Sequence, residues 1–216
     1  MTDIIIVGAG GLGKDVQWML ERINEIEETW NILGYVDDGI KAGSLVDDLP
    51  ILGTVDYLLQ REETLAVVVA VASAKVRRHI IEKLEQNDKL VFPNVADPST
   101  LLSKRIKMGK GNIVLAGNIL SVDIQLGDYC IFNADCTIGH DVVMGSYVTV
   151  YPSANISGCV EIGQETEIGT GCHIIQGIKV GSSTIVGAGA VVIGELPSCC
   201  TAVGNPAKPI KYHSGD

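Results

Sequence analysis

Hydrophobic and polar positions along this chain follow two different periods. Up to about residue 96, strand-like and helix-like patterns alternate. "DIIIVGAG" reads as a buried strand running into a glycine turn. From Lys14 onward, Val16, Met19, Leu20, Ile23 and Ile26 recur at helical spacing. "NILGYVDD" predicts a second strand and "LAVVVAV" a third. "AKVRRHIIEKLEQN" predicts a helix with Val76, Ile80, Ile81 and Leu84 on one face, and "LVFPNV" a last short strand. Strands alternating with helices imply a small parallel sheet covered by helices, so residues 1–97 are expected to form a Rossmann-like α/β domain. That stretch is too short for a two-lobed dinucleotide fold.

After "DPST" the helical pattern stops and a period of six begins. Stepping by six from Leu102 through Met108, Val114 and Leu120 to Val192 meets sixteen positions, all apolar. With about half of residues apolar, chance would give this roughly once in 10⁵ trials. Glycine follows in eight of the hexads, at Gly109, Gly127, Gly139, Gly145, Gly163, Gly169, Gly181 and Gly187. The fifth position is mostly small or β-branched, as at Cys130, Cys136, Val142 and Cys172. This is the hexapeptide repeat of a parallel β-helix, expected over residues 98–216. Side chains alternate along a strand, so positions five and one point inward, six and two outward, and three and four form the corner. Three hexads close one triangular coil. One outer face then carries Lys107, Gln125, Val143, Glu161 and Lys179 and is mostly polar. The next is expected to expose Ile113, Leu115, Ile131, Tyr151 and Ile185, and the third Ile119, His173, Ile175, Val191 and Ile193. Two apolar faces exceed what a monomer tolerates, so a closed oligomer is expected, with threefold symmetry natural for a three-sided prism.

Composition narrows the function classes. A formal charge of −10 argues against nucleic acid or an anionic membrane surface as partner. No apolar run is long enough to span a bilayer, and Met1 leads into a strand without a basic leader, so no membrane insertion and a cytoplasmic setting are expected. The six cysteines lack paired metal-ligand spacing, so no metal is expected.

His140 and Asp141, in "GHDVVMG", occupy positions three and four of their hexad and so sit on a corner. There a side chain leaves the prism without disturbing core or ladder. Imidazole titrates near neutrality and can take a proton from a hydroxyl or amine attacking a thioester. The adjacent carboxylate can orient the ring and stabilise the imidazolium, while backbone N–H groups hold the oxyanion. A merely solvated polar corner is the plainer alternative, and His173, pointing out from a flat face, is the rival histidine. His79 reads as a solvated helix residue and His213 as part of the tail. No cysteine shares the His140 corner within its coil, Cys159 being one coil away, so direct attack without a covalent enzyme intermediate is expected.

"GAGGLG" places Gly8, Gly10 and Gly13 between a strand and a helix, with Asp37 ending the next strand. Such a turn lets a phosphate group approach backbone N–H groups at a helix N-terminus. A sugar nucleotide, a nicotinamide dinucleotide and a purely structural turn all remain open on that motif alone.

The hexads, "GHDVVMG" and "GAGAVVIGELPSCCTAVGNPAKPIK" resemble left-handed β-helix acyltransferases. With "IIIVGAGGLGKDV", "GYVDD" and "FPNVADPSTLLS", essentially the whole chain resembles bacterial sugar acetyltransferases of the sialic-acid O-acetyltransferase and bacillosamine-pathway N-acetyltransferase type. The resemblance implies a left-handed helix, acetyl-CoA as acyl donor, a homotrimer with sites between protomers, and a sugar or sugar-nucleotide acceptor in glycan synthesis. It implies His140 as general base with Asp141 beside it. It aligns Thr149, Gly158, Thr170, Ala188, Gly204 and Lys208 with coenzyme contacts, and Gly10, Gly11, Leu12, Asp37, Asp38, Ala72 and Ser73 with the lining of a sugar-nucleotide pocket. Thr149 lies on a different side of the prism from His140, which favours a site shared by two protomers. A non-catalytic sugar-nucleotide-binding scaffold is the alternative from another class.

Overall fold

The apolar run "TDIIIV" forms β1 (Thr2–Val7), in which Ile4, Ile5 and Ile6 have no exposed surface. Such a continuous run, without alternation, belongs to a strand covered on both faces. The structure, a computed structural model, describes residues 1–213 and divides into two units, Met1–Pro98 and Ser99–Asp216.

In the first unit β1 lies between β2 (Trp30–Val36) and a later strand, Leu65–Val69, parallel to both. With β3 (Leu45–Val46), β4 (Leu49–Gly53), β5 (Leu65–Val69) and β6 (Leu90–Val91), the sheet runs β3-β4-β2-β1-β5-β6. Its helices are α1 (Gly11–Ile26), α2 (Val55–Leu59) and α3 (Ala74–Leu84). The chain leaves β1 toward β2 on one side and later returns to β5 on the other. The crevice beyond the carboxyl ends of β1 and β5 is therefore a switch point, where open α/β sheets bind ligands.

Three local features differ from the periodic reading. Helix α1 starts at the glycine turn itself, and its stripe of Val16, Met19 and Leu20 is buried while Ile26 is exposed. In α3 the buried face is Ala74, Arg77, Ile81 and Leu84, and Val76 points to solvent. Arg77 displaces Val76 from that face because its guanidinium donates to the carbonyls of Val71 and Ala72, at 2.7 and 2.9 Å. A buried cation with such partners is tolerated. The antiparallel β3–β4 hairpin, absent from the periodic reading, turns through Asp47 and Asp48, both at positive φ. Paired left-handed residues are what a two-residue hairpin turn needs.

In the second unit the short strands pair in parallel with the strand eighteen residues later, as Ile119 with Thr137 and Gln125 with Val143, until the last coil, where Ile185 pairs with Thr201. The eighteen-residue register is three hexads per coil, and it yields three parallel sheets as the faces of a prism. First-position residues from Val114 to Val192 are buried, whereas Leu102 and Met108, on the first coil, are partly exposed. Cys130, Cys136 and Cys172 are fully buried in this core. Burial raises the Cys136 thiol to about 11 and the Cys172 thiol to about 12, which leaves both inert. The prism ends in strand Cys200–Val203, paired antiparallel with Lys208–Tyr212.

Two rules explain the repeat. Position four adopts left-handed backbone at corner after corner, including Asp123, Tyr129, Asp141, Tyr147 and Cys159. Its N–H donates across coils, as from Asp141 to the Val122 carbonyl at 3.1 Å, which holds the unfavourable conformation in place. In hexads where position two is glycine, the next coil passes too close for a side chain. A Cβ at Gly145 would lie 2.6 Å from the backbone nitrogen of Gln164.

The expectation of two apolar outer faces holds fully for one and only in part for the other. Ile113, Leu115 and Ile131 are enclosed by the chain itself, at 1%, 5% and 0% exposure, whereas Ile185 on the same face is exposed. Strand parity gives the direction of a side chain but not what packs over it. The face carrying Leu101, Ile119, Ile175 and Ile193 does expose these four. Among the described residues no helix is long and apolar enough to cross a membrane.

Candidate active site

The hexad "IGHDVV" brings His140 and Asp141 to the corner between strands Thr137–Ile138 and Val143–Met144. Their side chains meet, with imidazole Nδ1 2.7 Å from Asp141 Oδ2. The left-handed backbone of Asp141 (φ 57°) swings its short carboxylate back onto the preceding ring. An ionised carboxylate only accepts, so Nδ1 carries the proton and Nε2 keeps the lone pair. Gly158 lies over the ring one coil on, and a Cβ there would sit 2.7 Å from both Cε1 and Nε2. The His140 carbonyl is held by the Cys159 N–H at 2.8 Å. The pair is thus aimed by the repeat itself: both side chains are about half exposed, yet their backbone is fixed.

His173 is exposed on the flat face, in register with Asn155 and Val191. Its immediate strand neighbours are an amide and an aliphatic side chain, so the charge-paired histidine is the one on the corner. His79 is exposed on α3, and His213 Nε2 lies 2.9 Å from the Thr201 hydroxyl.

The residues aligned with coenzyme contacts do not form one cluster. Gly158 belongs to the His140 corner. Thr170 and Ala188 are exposed and stack on the preceding corner, where the Gly189 N–H donates to the Thr170 carbonyl at 2.8 Å. These two corners flank the face that exposes Leu101, Ile119, Ile175 and Ile193. Gly204 lies at the end of that same face, its carbonyl accepting from the Val191 N–H at 3.0 Å. Lys208 is exposed on the terminal strand. Thr149 departs from the expected set: it has 0% exposure and so presents no surface to a coenzyme.

In the first unit the expected lining converges at the switch point. Gly10 and Gly11 are exposed, and no atom lies within 4 Å of a Cβ built at either. Gly13 packs so tightly that a Cβ would meet the Gly8 carbonyl oxygen at 2.0 Å. Ala72 and Ser73 follow β5 on a loop fixed by Arg77, a residue the periodic reading placed off the buried face. Asp37 accepts from the Ala9 N–H at 2.9 Å and from the Gly39 N–H at 2.8 Å, while Asp38 accepts from the Val55 N–H at 2.8 Å. Asp37 therefore already occupies a donor inside the glycine turn. That disfavours the dinucleotide arrangement, in which the turn serves the pyrophosphate and the acid serves a ribose.

A hexad prism with a carboxylate-oriented imidazole on one corner, joined in sequence to an α/β unit with an open glycine turn, defines a hexapeptide-repeat acyltransferase. Comparison with known proteins narrows the class. Residues 3–84 match the family model described as the PglD N-terminal domain. The acetyltransferase domain of PglB from Neisseria gonorrhoeae, in complex with acetyl coenzyme A, is 32% identical, with 96% of this chain and 98% of that one covered and a TM-score of 0.89. A variant of perosamine N-acetyltransferase from Caulobacter crescentus, in complex with CoA and GDP-perosamine, is 27% identical over 100% and 98% of the two chains, with a TM-score of 0.88. WeeI from Acinetobacter baumannii is 29% identical over 97% and 100%, with a TM-score of 0.86. No protein with a curated description matches in sequence. The chain belongs to the left-handed β-helix, hexapeptide-repeat family of sugar acetyltransferases.

Proposed function

We propose that this protein transfers the acetyl group of acetyl-CoA to an amine or hydroxyl of a nucleotide-linked sugar in the cytoplasm, during bacterial glycan synthesis, with His140 as general base. The observation that carries this reading is the 2.7 Å His140–Asp141 pair on a corner of the prism. Nε2 takes the proton as the acceptor attacks the thioester carbonyl. The carbon–sulfur bond then breaks, and the imidazolium returns the proton to the departing thiolate. Asp141 holds the ring and stabilises its charge, and coil N–H groups steady the oxyanion. An amine acceptor is favoured by the likeness to perosamine N-acetyltransferase.

The active site is shared by protomers of a homotrimer. Two features support this: the exposed Leu101, Ile119, Ile175 and Ile193 call for a covering copy, and Thr170 and Ala188 stand a whole face away from His140. A second copy brings one such corner against the other. Acetyl-CoA then lies along the later coils toward Gly204 and Lys208, whose ammonium offsets phosphate charge. Gly10, Gly11, Leu12, Ala72 and Ser73 line the nucleotide pocket, with Asp37 and Asp38 shaping its loops.

Thiol release from acetyl-CoA across a panel of nucleotide-linked amino sugars tests the reaction. Turnover with at least one of them is expected. Silence across the panel with intact coenzyme binding would instead mark a scaffold. Ligand-induced thermal shifts test the pocket. A UDP- or GDP-sugar at about 100 times its Kd stabilises by about 2.7 kcal/mol, whereas NADH is expected to leave the melting temperature unchanged. An NADH shift exceeding that of every nucleotide sugar would overturn the pocket assignment.

A further inference from the structure

The corner that holds His140 carries a third side chain with metal-binding chemistry. Cys159 stands eighteen residues after Asp141, so the coil register stacks it directly on that carboxylate. One ligand atom from each of His140, Asp141 and Cys159 lies within 4.8 Å of the others, and all three residues are exposed. Among the described residues no other histidine, cysteine and acidic side chains gather this closely in a group of three. Zn–S bonds of about 2.3 Å and Zn–N or Zn–O bonds of about 2.0–2.2 Å set ligand atoms about 3.3–3.8 Å apart in a tetrahedron. Side-chain rotations of about an ångström close that gap, and exposed side chains make them freely.

We propose that His140, Asp141 and Cys159 bind a borderline-soft divalent cation, Zn²⁺ or a close chemical relative, and that its binding shuts off acetyl transfer. Thiolate, imidazole and carboxylate form a donor set suited to Zn²⁺, and a fourth position stays open to water. On binding, the Cys159 thiol releases its proton to solvent as the S–Zn bond forms. Neutral imidazole has one ring-nitrogen lone pair. Once the metal holds it, none is left to accept a proton from the acceptor. The inhibitory half of this proposal rests on His140 being the base; the binding half does not. Cys199, also accessible, lies on a different corner and has no part in the site.

The test uses metal-stripped full-length protein titrated with Co²⁺ and Zn²⁺, with acetyl transfer measured in parallel. One equivalent per chain is expected, with a thiolate-to-Co²⁺ charge-transfer band in the near ultraviolet. Cys159→Ser is expected to abolish the band, weaken Zn²⁺ at least about tenfold and keep acetyl transfer that now resists the metal. Cys199→Ser is expected to change neither band nor inhibition. A normally active enzyme with no Cys159-dependent band would overturn the site. Stoichiometric Cys159-dependent binding with undiminished turnover would overturn the base assignment of His140 and leave the metal site standing.

Discussion

Replacing His140 by alanine lowers acetyl transfer by about 10²- to 10⁴-fold, the range a positioned general base supplies. His173→Ala leaves the rate within a few-fold, because that ring stands on a flat face beside Asn155 and Val191. Both variants should fold alike, since both rings are exposed and outside the core. Gly158→Ala separates position from identity. It keeps the imidazole but drives a methyl to within 2.7 Å of it, so the ring must swing off its carboxylate. A loss of about tenfold or more in turnover is expected, consistent with what misplacing a reacting group by an ångström costs. Steady-state kinetics of the three variants, with CoA binding measured separately, provide the check. Equal losses in His140→Ala and His173→Ala would remove the corner from the mechanism.

The second large effect is on stability. Gly145→Ala places a Cβ 2.6 Å from the Gln164 nitrogen and 2.8 Å from its Cα, both backbone atoms of the next coil. No rotamer change relieves such a contact, so the ladder must open locally. A cost of about 3 kcal/mol follows from overpacking, and the melting temperature is expected to fall by about 6–12 °C. Gly171 provides the contrast. It sits at position four with φ 65° and has nothing within 4 Å of a Cβ. Alanine there meets only the left-handed backbone preference, about 1–2 kcal/mol. Melting curves of the two variants decide whether close coil approach, rather than backbone freedom, makes position two glycine. Equal destabilisation would contradict it.

Much of this was readable in the residues because a period of six leaves few choices. The repeat determines which side chains face inward, and it put His140 on a corner before any contact was known. What it could not supply is cover and reach. Ile113 and Thr149 have the same outward parity as Ile119, yet the first two are enclosed and the third is not. That the Asp141 carboxylate meets the imidazole, from a residue with left-handed φ, is visible only in coordinates. In the α/β unit the periodic reading found the central strands but missed the β3–β4 hairpin. Its Asp47–Asp48 turn lacks the glycine that usually marks such a loop. Arg77 was hidden for a related reason: a cation on a buried helix face defies the apolar period until its carbonyl partners are seen. Resemblance aligns Gly158 with the coenzyme, while its place against the His140 ring follows from the eighteen-residue register.

The most direct measurement is a crystal structure of the protein with CoA and a nucleotide-linked amino sugar. The acceptor nitrogen is expected within hydrogen-bond reach of His140 Nε2, with the coenzyme sulfur beside it in a cleft lined by a second copy. A sugar amine bound away from that corner, or a coenzyme thiol lying on another face of the prism, would contradict the account.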